Sequence, residues 1–146
     1  MANRDLLQAA GSWSADACCA VHGNGCYDND DQPCSGNGCD YCASAHTVMG
    51  KGAGVAEVEL ALNLKAESTD ARTQAALTFA KKVVEARGRV SDADVATLRE
   101  AGYDDGEIVE IVMHIGLNLF TNYFNHIVDT EIDFPVVKAA PAVQAA

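Results

Sequence analysis

Two cysteines and a histidine crowd into eight residues, Cys39-Asp40-Tyr41-Cys42-Ala43-Ser44-Ala45-His46. Two thiols separated by two residues can close a disulfide within one helical turn. On a helix, offsets of three and four place both sulfurs and the imidazole on one face, within reach of proton transfer. That arrangement suits redox chemistry or a metal better than it suits packing.

The redox use follows from position. Cys39 comes after Gly36-Asn37-Gly38, at the start of a predicted helix, where unpaired backbone amides favour a thiolate and lower its pKa. His46 can take the proton of Cys42, directly or through water, and return it to a leaving oxygen. Those are the steps of peroxide reduction: thiolate attack, loss of alcohol, a sulfenic acid, and condensation with a second thiol. The metal use needs a fourth ligand beside Cys39, Cys42 and His46, and His22, Cys26 or Cys34 could supply it. Such a zinc site is cramped when three ligands come from one helix. The alternative to both is a pair of packed thiols and a packed histidine. The residues alone leave these uses open.

Composition narrows the rest. The chain has 146 residues, the length of one domain, with 21 acidic and 10 basic side chains and a formal net charge of −11. Only Arg4 is basic before Lys51, so no stripe exists for nucleic acid or an anionic membrane surface. No apolar run approaches the roughly 20 residues needed to span a bilayer. The first residues lack a secretion-signal core, which points to a cytoplasmic protein. All six cysteines fall between Cys18 and Cys42. In a reducing compartment that clustering suggests redox or metal chemistry rather than a disulfide framework.

The elements that must position the site are helical. The pattern predicts a helix over 39–50, ended by Gly52 to Gly54, then a short one from Val55 to Leu64. A third runs from Ala71 to Arg87, stopped by Gly88. Ser91 to Asp94 resembles a capping box opening a helix to about Ala101, and Asp104 to Glu107 is another, opening the longest helix, Glu107 to Asp129. That helix is apolar over most of its girth, through Ile108, Ile111, Val112, Ile115, Leu119, Phe120, Tyr123, Phe124 and Ile127. It is either central or half-covered by a partner subunit. Asn118 and Asn122, four apart, could line a polar seam or a subunit contact, and His114 and His126 read as satisfied polar groups. Phe134-Pro135 begins an extended tail. Residues 1–37 differ: they are rich in Cys, Gly and Asp and show no long periodicity.

The string from Gly38 to Thr47, followed by Gly50-Lys51-Gly52-Ala53-Gly54-Val55, strongly resembles the alkylhydroperoxidase AhpD-like branch of the carboxymuconolactone decarboxylase family. The likeness continues through residues 75–80, Ala101-Gly102-Tyr103 and Asn122-Tyr123-Phe124-Asn125-His126 to Asp133-Phe134-Pro135, covering about 36–137. The resemblance implies an all-α helical bundle with the CxxC near the N-terminus of a helix, preceded by the atypical segment 1–37, with residues 38–137 as the domain and 138–146 as a flexible tail. It implies a trimer or hexamer, no cofactor, and a thiol-dependent peroxidase acting on alkyl hydroperoxides. A lipoyl-type or other external dithiol would recycle it. In such proteins the second cysteine attacks peroxide and the first resolves it, which makes Cys42 peroxidatic, Cys39 resolving and His46 the proton relay. A general disulfide oxidoreductase, a zinc-stabilised helical assembly and, least favoured, a lactone decarboxylase are the competing readings.

One departure stands upstream. Members of the family place a relay glutamate about a dozen residues before the first cysteine, and here no glutamate precedes Glu57. Asp28 is the carboxylate nearest that position and the candidate replacement. The segment could equally be an insertion, or a shifted reading frame joined to an intact domain.

Overall fold

The structure, a computed structural model, describes residues 38–139. Five helices and no strand occur among them: α1 Asp40–Ala53, α2 Glu57–Asn63, α3 Ala71–Glu85, α4 Asp92–Glu100 and α5 Asp105–Val128. The all-α class predicted from the periodicity is the class observed. Asp28, His22 and Cys18, Cys19, Cys26 and Cys34 lie outside the described residues.

Local chemistry sets the helix ends. Both capping boxes form: the Ser91 and Asp94 side chains exchange hydrogen bonds with each other's backbone amides, and Asp104 and Glu107 do the same. Asp70 caps α3 by accepting from the Thr73 amide at 2.7 Å. Each such cap is worth about 1 kcal/mol. The first helix runs past Gly52 to Ala53, because the left-handed stop (φ +91°) falls on Gly54. Only a residue without Cβ adopts that conformation cheaply. Gly50, by contrast, is needed for space. A Cβ there would come within 2.6 Å of Leu60 Cδ2, so this glycine lets α2 lie close against α1.

Helices α3, α4 and α5 build the main core. Phe79, Ala80, Val95, Leu98, Tyr103, Ile108, Ile111 and Ile115 bury their side chains together. A clamp locks α3 to the start of α5. Arg72 stacks 3.9 Å over the Tyr103 ring, pairs with Glu107 at 2.6 Å, and its carbonyl accepts from the Tyr103 hydroxyl. Helix α1 packs on α2 and on α5.

The longest helix thus has two characters. Its first half is anchored in the core. Its second half leaves Leu117, Phe120, Tyr123, Phe124, Ile127 and Val128 exposed, with Phe120 at 65% and Ile127 at 82%. Phe120 and Phe124 stack with centroids 6.3 Å apart.

The tail after α5 returns across the first turn of α1. The Val137 amide donates to the Ser44 hydroxyl at 2.9 Å, which itself donates to the Asp40 carbonyl at 2.7 Å. Lys138 and Ala139, placed by the sequence at the start of a flexible tail, both bond to the Asp40 carboxylate. The Lys138 contact comes first among the influences holding that carboxyl below its usual range, and the Ala139 amide adds to it. Phe134 meets Tyr41 edge-on, 5.7 Å between centroids.

Candidate functional site

The sequence places Cys39 inside the first helix; the structure makes it the N-cap, with extended backbone (φ −85°, ψ 98°). Its sulfur accepts from the Cys42 amide at 3.3 Å. The thiol therefore fills the role a serine or aspartate would play, satisfying one of the open amides of the first turn. Cys42 follows one turn later, and His46 stands four residues beyond it on α1. Both cysteines are thiols and both are buried, Cys39 at 1% and Cys42 at 3% exposure, with Tyr41 packed against them.

The ionisation of Cys39 departs from the sequence-based expectation. Helix-start amides were expected to lower its pKa, but it is pushed up to about 11. Burial is the largest cause, and the hydrogen bond that the protonated Cys39 thiol makes to the Cys42 side chain adds to it. The amide contact and Asn125 act the other way and are outweighed. Desolvation of a charged sulfur, unfavourable in a site this closed, decides the sign. Cys39 is accordingly held as the neutral thiol near neutral pH.

Helix α5 supplies what the sequence left unassigned. Asn122 Nδ2 donates to Cys42 Sγ at 3.1 Å, and Asn125 Nδ2 donates to the same sulfur at 3.3 Å. Asn122 is completely buried. The amide of Asn125 is oriented from behind, because the Thr130 hydroxyl donates to its Oδ1 at 2.8 Å. Two carboxamides from one helix thus converge on the sulfur of another. Asn122 read as part of a polar seam; its target, 80 residues away in sequence, left no local signal.

The seam continues toward the other end of α5. Glu110, His114, Asn118 and Asn122 recur every four residues, each on the same side as the next, in a stripe that winds about a third of a turn around the helix. Glu110 is only 2% exposed, and neither carboxylate oxygen has a hydrogen-bond partner among the described residues. Burial raises its pKa, opposed by nearby His114 and reinforced by Glu107 and Asp104. Twelve residues of helix separate it from Asn122, roughly 18 Å of axial rise. It does not act directly on Cys42.

Cys39, Cys42 and His46 do not assemble as a metal set: among the described residues no three His, Cys, Asp or Glu side chains converge. An open cavity of 370 Å³ lies elsewhere, lined by Val55, Val58, Glu59, Thr69, Asp70 and Thr73, and contains no cysteine. No helix among the described residues is long and apolar enough to cross a membrane.

Fold and site together define an all-α bundle carrying a buried CxxC pair at a helix start. No protein-family profile matches the chain. No curated protein matches it either. Among solved structures, the fold is similar to that of an uncharacterized peroxidase-related protein from Silicibacter sp. TM1040. The match has a TM-score of 0.63 and 22% identity, and covers 91% of this chain and 69% of that one. At this identity the likeness establishes the fold.

Proposed function

We propose that the chain is a thiol-dependent peroxidase that reduces alkyl hydroperoxides through a Cys39–Cys42 disulfide cycle. The observation that carries this reading is the setting of Cys42. Its sulfur sits in the first turn of α1 under two carboxamide donors, with a second thiol three residues before it and an imidazole one turn after it. The similarity of fold to a peroxidase-related protein supports the same class.

In the proposed cycle the Cys42 thiolate attacks the distal oxygen of the hydroperoxide. The O–O bond breaks, and His46 returns a proton to the departing alkoxide, releasing alcohol. Cys42 is left as a sulfenic acid. Cys39 then attacks the Cys42 sulfur; the S–S bond forms, and the sulfenic hydroxyl leaves as water with the Cys39 proton. An external dithiol, lipoyl-type or similar, reduces the disulfide and is itself oxidised. Burial pushes the Cys39 thiol up, so it gives up its proton as it attacks rather than waiting as a thiolate. Asp28 is the candidate relay carboxylate; Glu110 lies too far along α5 to serve.

The test is stopped-flow mixing of reduced protein with an organic hydroperoxide. Wild type should show a thiol-loss burst. Cys42→Ser should lose it, and Cys39→Ser should keep one stoichiometric turnover without cycling. A burst that survives Cys42→Ser but not Cys39→Ser reverses the roles. Wild type no faster than free dithiol removes the peroxidase reading and leaves a disulfide oxidoreductase using the same pair.

The same reading includes assembly as a trimer or hexamer. Its support is the exposed apolar face of α5, which carries no formally charged side chain from Ile111 to Val128 in a chain of net charge −11. Sedimentation at physiological salt should give a mass well above 15.3 kDa; a clean monomer at micromolar concentration refutes it.

A further inference from the structure

We propose that Asn122 and Asn125 form a two-donor carboxamide cradle that favours the thiolate of Cys42 and so sets its reactivity. The proposal rests on the reading of Cys42 as the attacking sulfur and adds what activates it.

The argument begins with a problem. A thiolate in a closed site loses most of its hydration, and burial alone holds sulfur protonated, as it does at Cys39. Cys42 is nearly as buried as Cys39, so the first turn of a helix is not a sufficient source of activation. The two sulfurs differ in their partners. The donor placed on Cys39 at 3.3 Å is a backbone amide, whereas Cys42 receives two side-chain N–H groups, at 3.1 and 3.3 Å. A neutral thiol is a weak acceptor, whereas a thiolate is a strong one. Donors fixed at this distance therefore stabilise the charged form more than the neutral form.

Both donors are fixed before the sulfur ionises. Asn122 is completely buried on α5. Asn125 has its oxygen committed to the Thr130 hydroxyl, which turns its nitrogen toward the sulfur. The Thr130 amide in turn donates to the Asn125 carbonyl at 3.2 Å, holding Thr130 in place just past the end of α5. Asn125 also acts on Cys39, lowering its pKa against the larger effect of burial. Among the described residues, the titratable groups around this turn are Cys39, Asp40, Tyr41 and His46 from α1 and its cap, His126 from α5, and Lys138 from the tail. On removing the Cys42 proton, S–H becomes S⁻ and the proton passes to solvent or to His46. No other group gains or loses charge.

The experiment needs no peroxide. The reduced full-length chain is alkylated with iodoacetamide across pH, and modification of Cys42 is read by peptide mass mapping after chymotrypsin, which cuts after Tyr41 and separates the two cysteines. Asn122→Leu and Asn125→Leu should each raise the midpoint of the Cys42 profile by about one pH unit. Thr130→Val, which frees the Asn125 oxygen without touching sulfur, should raise it by less. Asn125→Asp keeps the shape but replaces donors with a carboxylate, and should raise it beyond Asn125→Leu. That ordering separates a donor from a merely structural residue. Midpoints of folded Leu variants within a few tenths of wild type overturn the proposal. So does an Asn125→Asp midpoint at or below wild type, which also decides the matter if a Leu variant does not fold. Shifted midpoints in a chain inert to hydroperoxides would sink the peroxidase reading and leave the cradle standing.

Discussion

Replacing Glu110 by Met should stabilise the protein at neutral pH. Glu110 is 2% exposed on α5, and both carboxylate oxygens lack hydrogen-bond partners among the described residues. Leaving a buried polar group unsatisfied costs about 1–3 kcal/mol, and more when it is charged. Methionine has similar length and no such group, so the gain should be about 1–3 kcal/mol. For a chain of this size that is a rise in Tm on the order of 3–10 °C. The pH dependence is fixed in sign. Burial raises the folded-state pKa of Glu110 above its unfolded value, despite the opposing influence of His114. Its proton is held more tightly in the folded chain. That favourable contribution is complete below the unfolded carboxyl range and is lost as pH rises through the folded pKa. The advantage of Glu110→Met should therefore be smallest near pH 4 and largest at about pH 7 and above. Glu110→Gln removes the charge but keeps an unsatisfied amide, and should recover only the pH-dependent part. Urea denaturation of the three chains at several pH values measures all of this. Destabilisation by Glu110→Met at neutral pH, or a gain that does not vary with pH, refutes the reasoning.

With Cys39 pushed up chiefly by burial, its alkylation at about pH 8 in a Cys42→Ser chain should be slower than that of a small free thiol by a factor on the order of 10 to 100; equal rates would show that burial does not control it. Ser44→Ala strands the Val137 amide and should cost about 1–2 kcal/mol in urea melts, with the tail 134–139 becoming protease-sensitive. Phe120→Glu, on the exposed half of α5, should dissociate the proposed assembly without lowering monomer helicity, read by sedimentation and circular dichroism.

What the sequence discloses here is local. The caps at Ser91–Asp94 and Asp104–Glu107 lie three residues apart in sequence and form as their pattern predicts. The apolar girth of α5 is visible from periodicity, and it splits in space into a core half and an exposed half. The stop of α1 falls on Gly54, within the predicted range Gly52 to Gly54; the sequence does not reveal which of the two glycines turns left-handed. The shift of Cys39 reverses the prediction because helix position is a sequence property and burial is not. Asn122, Asn125 and Ser44 look ordinary in sequence. Their meaning comes from partners 80, 83 and 93 residues away.

Those separations carry a kinetic consequence. The Arg72–Glu107 clamp closes a span of 35 residues, whereas Ala139 reaches Asp40 across 99. For flexible loops, the longer closure costs roughly 0.9 kcal/mol more entropy. The α3–α4–α5 nucleus can form from nearby contacts, but the cysteine turn cannot be completed until the chain has emerged through Asn125 and, for the tail, Ala139. In a growing polypeptide the two thiols are thus made early and enclosed late. During that interval Cys39 and Cys42 lack both their burial and their α5 donors, and their reactivity is that of cysteines in an open chain.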